Sequence, residues 1–137
     1  MADISVTAAN VKKSVSGKSK TGVSAVAILA GQAVYKLAAG TIGLHDANGV
    51  APQNVLEGIA ENSAPGVGQP ITYCYDDPLF DPGATVAAGA TLIGSATPGG
   101  IAPDADKVTG WTVNELAHGV GSNKIAVKII NTGAVVP

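Results

Sequence analysis

The side chains best equipped for chemistry in this chain are two histidines, one cysteine, a cluster of three aspartates and a pair of glutamates. His45 and His118 are the imidazoles, separated by more than half of the chain. A metal or acid–base role needs an imidazole joined to further ligands or a partner group. An internal repeat, described below, places Asp104 near the position equivalent to His45, so the imidazole does not recur, and a surface or turn role is expected for both histidines. Cys74 lies in an apolar run with no histidine near it in sequence, which reads as a buried, inert thiol rather than a nucleophile. Glu57 and Glu61 share a strand face with nothing to split their pKa values, as an acid–base pair requires.

The densest acidic run is Tyr75-Asp76-Asp77-Pro78-Leu79-Phe80-Asp81. Calcium loops need oxygen ligands in an Asp-x-Asp-x-Asp-Gly order that this run lacks, and its prolines restrict it further. It reads as a solvated loop, with weak cation binding or a protein contact as the alternatives. Phe80 is then either an anchor into the core, the preferred reading, or an exposed contact. Asp76, Asp77, Phe80 and Asp81 are therefore the candidate contact loop. Gly17-Lys18-Ser19 imitates the end of a phosphate-binding loop, but Lys12 stands where the required earlier glycine should be. Gly66-Val67-Gly68 and Gly119-Val120-Gly121 fail to continue as a dinucleotide fingerprint. No residue stands out to carry a reaction, so the reading is a non-enzyme with no metal and no cofactor.

What recurs instead is scaffold. Residues 29–46 and 87–104 repeat a phrase: Ala30-Gly31, an apolar strand, a small-residue turn, then a short second strand at Ile42, matched by Ala88-Gly89 and Ile101. The offset is 58 residues at the Ala-Gly step and 59 at the isoleucine. Each copy is the sequence form of a β-hairpin, with Gly31, Gly40, Gly89 and Gly99 as structural turns. Short strands are expected at 23–29, 33–37, 42–44, 55–60, 70–75, 91–93, 111–113, 117–120 and 124–130, separated by Asn-Gly and Pro-Gly turns. Helix is limited to a turn or two near 52–56. The fold class expected is all-β, a small β-sandwich or barrel built from duplicated hairpins.

Composition agrees. Val and Ile together number 26 against 7 Leu, and β-branched residues suit a pleated surface. Alanine supplies 23 residues and aromatics only 5, so the core must be thin. The chain contains no arginine, which argues against a dedicated nucleic-acid binder because guanidinium contacts are the commonest recognition device. No apolar run of about 18 residues suggests a membrane span. The single cysteine and the absence of a signal-like start fit a protein made in a cytoplasm.

Residues 1–20 stand apart. They carry Lys12, Lys13, Lys18 and Lys20 against Asp3, a charge of +3, while the rest of the chain carries −5. The segment reads as an extended N-terminal arm, either a flexible solvated tail or a piece that docks on an acidic neighbour, and 21–137 as a single compact β domain.

The motifs Ala30-Gly31-Gln32-Ala33-Val34-Tyr35-Lys36, Gly40-Thr41-Ile42-Gly43-Leu44, Gly58-Ile59-Ala60-Glu61-Asn62-Ser63-Ala64-Pro65-Gly66 and Gly89-Ala90-Thr91-Leu92-Ile93 resemble the small capsid decoration, or cement, proteins of tailed bacteriophages. The likeness runs from Val26 to Ile129. It implies a compact β fold that binds the outside of an assembled head and reinforces it. The implied partners are the major capsid protein and sibling copies, commonly as a homotrimer, and the implied location is the outer surface of the virion. Lys12, Lys13, Lys18 and Lys20 are then the capsid-binding candidates. The alternative is a tail- or surface-associated β module that recognises a receptor or glycan, for which Trp111, Tyr73 and Tyr75 are the available aromatics.

Overall fold

Turn glycines and β-branched runs divide the chain into ten strands in the computed structural model, which describes residues 3–137. They are β1 (Val11–Lys12), β2 (Lys18–Val23), β3 (Ala33–Lys36), β4 (Ile42–Leu44), β5 (Gly58–Ala60), β6 (Pro70–Pro82), β7 (Thr91–Gly94), β8 (Ile101–Pro103), β9 (Thr112–Gly121) and β10 (Lys124–Val135). Two single 3-10 turns, Ala8–Asn10 and Asp104–Asp106, are the only helical elements among the described residues, and none of the helices there is long and apolar enough to cross a membrane. The strands form one curled antiparallel sheet in the order β4-β3-β5-β6-β10-β9-β7-β8, with β1 and β2 also paired to β6. The protein is all-β, a half-barrel in outline.

The repeat is a structural duplication, residue for residue. Val34 opposes Leu44, Tyr35 opposes Gly43 and Lys36 opposes Ile42; Leu92 opposes Pro103, Ile93 opposes Ala102 and Gly94 opposes Ile101. The correspondence continues past the hairpins into a third strand. Ala33 and Val34 pair with Ile59 and Gly58, as Thr91 and Leu92 pair with His118 and Ala117. The amides of Gly31 and Gly89 donate to the carbonyls of Ala60 and Gly119, each at 2.8 Å. The return bonds, Ala60 N–H to Gln32 O and Gly119 N–H to Ala90 O, are 2.9 and 2.8 Å. The four turn glycines share the left-handed region, with φ of +90° and +82° at Gly31 and Gly89 and +94° and +78° at Gly40 and Gly99.

β6 joins the two units. Its first half lies between β2 and β5, its second half between β1 and β10. Phe80, Leu92, Ile101, Leu116 and Ile125 pack with Ala33 and Ile59 in the main core, so both units contribute to it. A second cluster of Ile28, Val34, Ile42, Ile71 and Tyr73 fills the first unit. Ala33, Ala60, Ala64 and Ala117 are fully buried, so small side chains supply part of a core poor in aromatics.

Four expected strands are revised. The run at 70–75 continues to Pro82, through the acidic stretch expected as a loop. Pro78 is accommodated because β10 opposes Asp77 with Val127 and Phe80 with Ile125, a bulge that asks no ladder hydrogen bond of the proline. The pieces at 111–113 and 117–120 are one strand, β9. The strand expected at 23–29 lies earlier, at Lys18–Val23; beyond it Ser24 and Ile28 make only isolated bridges. The region 52–56 forms turns without helix.

The equivalent glycines Gly31 and Gly89 give a controlled comparison. A Cβ at Gly89 meets nothing, so Gly89→Ala bears only the strain of positive φ, ~1 kcal/mol. A Cβ at Gly31 would overlap the Val6 Cγ1 methyl, so Gly31→Ala is expected to lose ~1–2 kcal/mol more in denaturant unfolding. Adding Val6→Ala should remove the difference; if the two alanine variants are equally stable in the Val6 background and also without it, the contact is wrong.

Candidate functional site

The two charged features that are remote in sequence face each other in the fold. Lys12 lies opposite Asp81 across β1 and β6, and Lys18 lies opposite Asp76 across β2 and β6. The segment expected as a free or partner-docked arm is laid along its own chain; its first two residues lie outside those described. The physical reason is β6 itself. From Pro70 to Asp76 its outer backbone edge would otherwise be unpaired, and β2 satisfies it.

Asp77 fixes the junction between arm and body. It is fully buried, and its carboxylate accepts the Ser14 amide at 2.7 Å, the Ser14 hydroxyl, and the Leu79 amide at 3.0 Å. Lys13 reaches Glu61 at 3.9 Å, and the Ser19 hydroxyl donates to the same carboxylate. Lys20 stands 5.0 Å above the centre of the Tyr75 ring, within cation–π range. Asp81 pairs with Lys124 at 2.8 Å; that hydrogen-bonded ammonium holds its carboxyl below the usual carboxylate range.

The contact loop proposed from the sequence is therefore not a loop. Asp77 and Phe80 are fully buried, Phe80 in the main core, while Asp76 and Asp81 flank the lysines already named. Leu79, 56% exposed, is the outward apolar group of this run. Lys12, Lys18 and Lys20 remain exposed. β2 uses one edge on β6, and among the described residues its other edge has no strand partner, the neighbouring Ser24 bridge to Ile42 apart, so Lys18 and Lys20 sit on a strand with an open edge. On the sheet face spanned by β2, β6 and β10, a hollow of about 340 Å³ is lined by Lys20 and Lys128 and by Glu57 and Asp76, two cations with two anions.

His45 departs from the surface role expected of it. Its side chain is fully buried, with Nε2 3.4 Å from the Asn114 amide nitrogen, which donates to the Asn54 carbonyl at 2.5 Å. Burial pushes the imidazole pKa down to about 4. The ring fits because Gly94 lacks a Cβ that would overlap it. No pattern in the sequence marks Asn114 or Gly94 as its neighbours. His118 is exposed, 3.6 Å from Glu115. Burial raises the Cys74 thiol to about 12, which leaves it protonated and unreactive near neutrality. Trp111 and Tyr73 are buried. Among the described residues, His, Cys, Asp and Glu form no group of three or more able to hold a metal.

No protein-family model, curated protein or solved structure matches the chain.

Proposed function

We propose that this protein is a non-catalytic virion component that binds the outside of an assembled phage head, as a homo-oligomer such as a trimer, and stabilises the shell. The sequence resemblance to decoration proteins supports it, and the unpaired, lysine-bearing edge of β2 is the observation that carries it. An edge strand offers a row of backbone donors and acceptors to a partner strand. Lys18 and Lys20 on that edge oppose pairing with another copy's identical edge and favour an acidic strand, which gives selectivity for a shell surface of opposite charge. The receptor or glycan alternative draws less support, because Trp111 and Tyr73 are buried and Lys20 covers Tyr75.

The test is charge reversal at the edge. Lys18→Glu with Lys20→Glu should weaken binding to expanded, empty heads by roughly tenfold or more at low salt, the difference narrowing as salt rises; because the new carboxylates face Asp76 and Tyr75, unfolding should also shift by ~1–2 kcal/mol, and the Lys18→Gln, Lys20→Gln pair, which removes charge without adding repulsion, should shift it less while still weakening binding. Unchanged head binding by a folded double variant contradicts the assignment of β2 as the contact edge.

A further inference from the structure

The two units are closed by different parts of the chain. In the first, the segment leaving β2 crosses to β4: Ser24 bridges Ile42, and the Ala25 amide donates to the Ile42 carbonyl at 2.7 Å. Ile101 holds the place of Ile42 in the second unit, and its carbonyl accepts the amide of Ile4 at 2.8 Å. The Thr7 amide reaches the Gly83 carbonyl at 2.8 Å, the Ser95 hydroxyl donates to Asp3 at 3.0 Å, and Val11 and Lys12 pair with Pro82 and Asp81. Residues 3–12 are thus a strap that does for the second unit what a sequence-adjacent segment does for the first.

The strap has two apolar anchors, Ile4 and Val11, half-buried against the main core, and otherwise lies on the surface. None of its side chains is fully buried, and β1 spans only two residues. Hollows of about 160 and 680 Å³ flank it, the first beside Ile4 and Val6, the second beside Thr7, Asn10 and Lys12. It joins β2 through residues 13–17, a short turn in which the Gly17 amide donates to Ser14 at 3.1 Å.

We infer that the slot between β8 and the end of β6 is an acceptor site for residues 3–12 of a second copy of this chain. The occupant follows from the slot. It holds this segment now, and residues 3–12 from another copy make the same hydrogen bonds; the change falls on residues 13–17, where the Ser14 bonds to buried Asp77 and the Lys13–Glu61 pair must be kept or re-formed as the hinge opens. Exchange of this kind links copies head to tail and closes into a ring where the rotation allows. It is favoured where copies are held at high local concentration. This inference rests on the fold alone and is independent of what surface the protein decorates.

Disulfide trapping tests it, in a Cys74→Ala background so that no native thiol competes. A chain with both Lys12→Cys and Asp81→Cys, oxidised in dilute solution, should form an internal bond, because these positions are partners across β1 and β6. Failure of that bond overturns the strap geometry itself. Two separate chains, one with Lys12→Cys and one with Asp81→Cys, are then mixed and oxidised at rising concentration. The expected result is a covalent pair whose yield climbs with concentration to roughly tenfold that of a control mixture, in which exposed Val50→Cys replaces Lys12→Cys. A yield equal to the control overturns the exchange.

Discussion

Replacing Phe80 with alanine should lower the unfolding free energy by ~3–5 kcal/mol, a large share of the total for a domain of this size. Phe80 is fully buried in the core shared by both units, opposite Ile125 across β6 and β10. Few other side chains can refill the space, because the chain has only one phenylalanine and its core is otherwise largely aliphatic. The adjacent residue supplies the control. Leu79 is 56% exposed, so Leu79→Ala should change stability by less than ~0.5 kcal/mol. Denaturant titration of the two variants separates an anchor from a contact residue. Similar small losses for both would mean that this stretch is a surface loop after all.

The second large effect is on pH. His45 has a pKa near 4 in the folded protein, against 6.5 for an unperturbed histidine, because burial disfavours the imidazolium; neighbouring Asp46 and the Asn54 carbonyl oppose the shift without cancelling it. Between those values the unfolded chain binds the proton and the folded one does not. Stability is therefore full above about pH 6.5 and falls as pH is lowered towards 4, by a total of ~3 kcal/mol. The lowered pKa of Asp81 works in the same direction but in a lower window, its contribution fading below the ordinary carboxylate value of 3.8. His45→Gln should be less stable than the parent at pH 7 and show a much flatter profile between pH 6.5 and 4. A parent profile as flat as the variant's, or an NMR titration of His45 near 6.5, contradicts the buried neutral imidazole.

What could be read from the sequence was what local chemistry dictates. Gly31, Gly40, Gly89 and Gly99 sit at positive φ, where glycine is the residue least strained, and the hairpins between them carry their own signal. The duplication's third strand carries no repeat signal in the sequence because Gly58-Ile59-Ala60 and Ala117-His118-Gly119 share backbone roles but little side-chain chemistry. The acidic run looked like a loop because Asp-Asp-Pro is turn chemistry. It is a strand because Asp77 turns inward to take the Ser14 and Leu79 amides, and Ser14 is remote in sequence. The fate of the basic arm had the same character. Its pairing with β6 depends on an edge that exists only once the sheet has formed. The burial of His45 depends on Gly94 and Asn114, which come to it from the other repeat and are remote from it in sequence.

A passive shell-binding role accommodates each of these features: a duplicated scaffold, a buried thiol, three buried aromatics, and a lysine-bearing strand with an open edge. The most direct measurement is the temperature at which expanded phage heads rupture, with and without saturating amounts of the purified protein. A higher rupture temperature is expected at a fixed ratio of copies per capsomer, with the gain reduced by the Lys18→Glu, Lys20→Glu pair. An identical rupture temperature, with no protein retained on the heads after sedimentation, contradicts it.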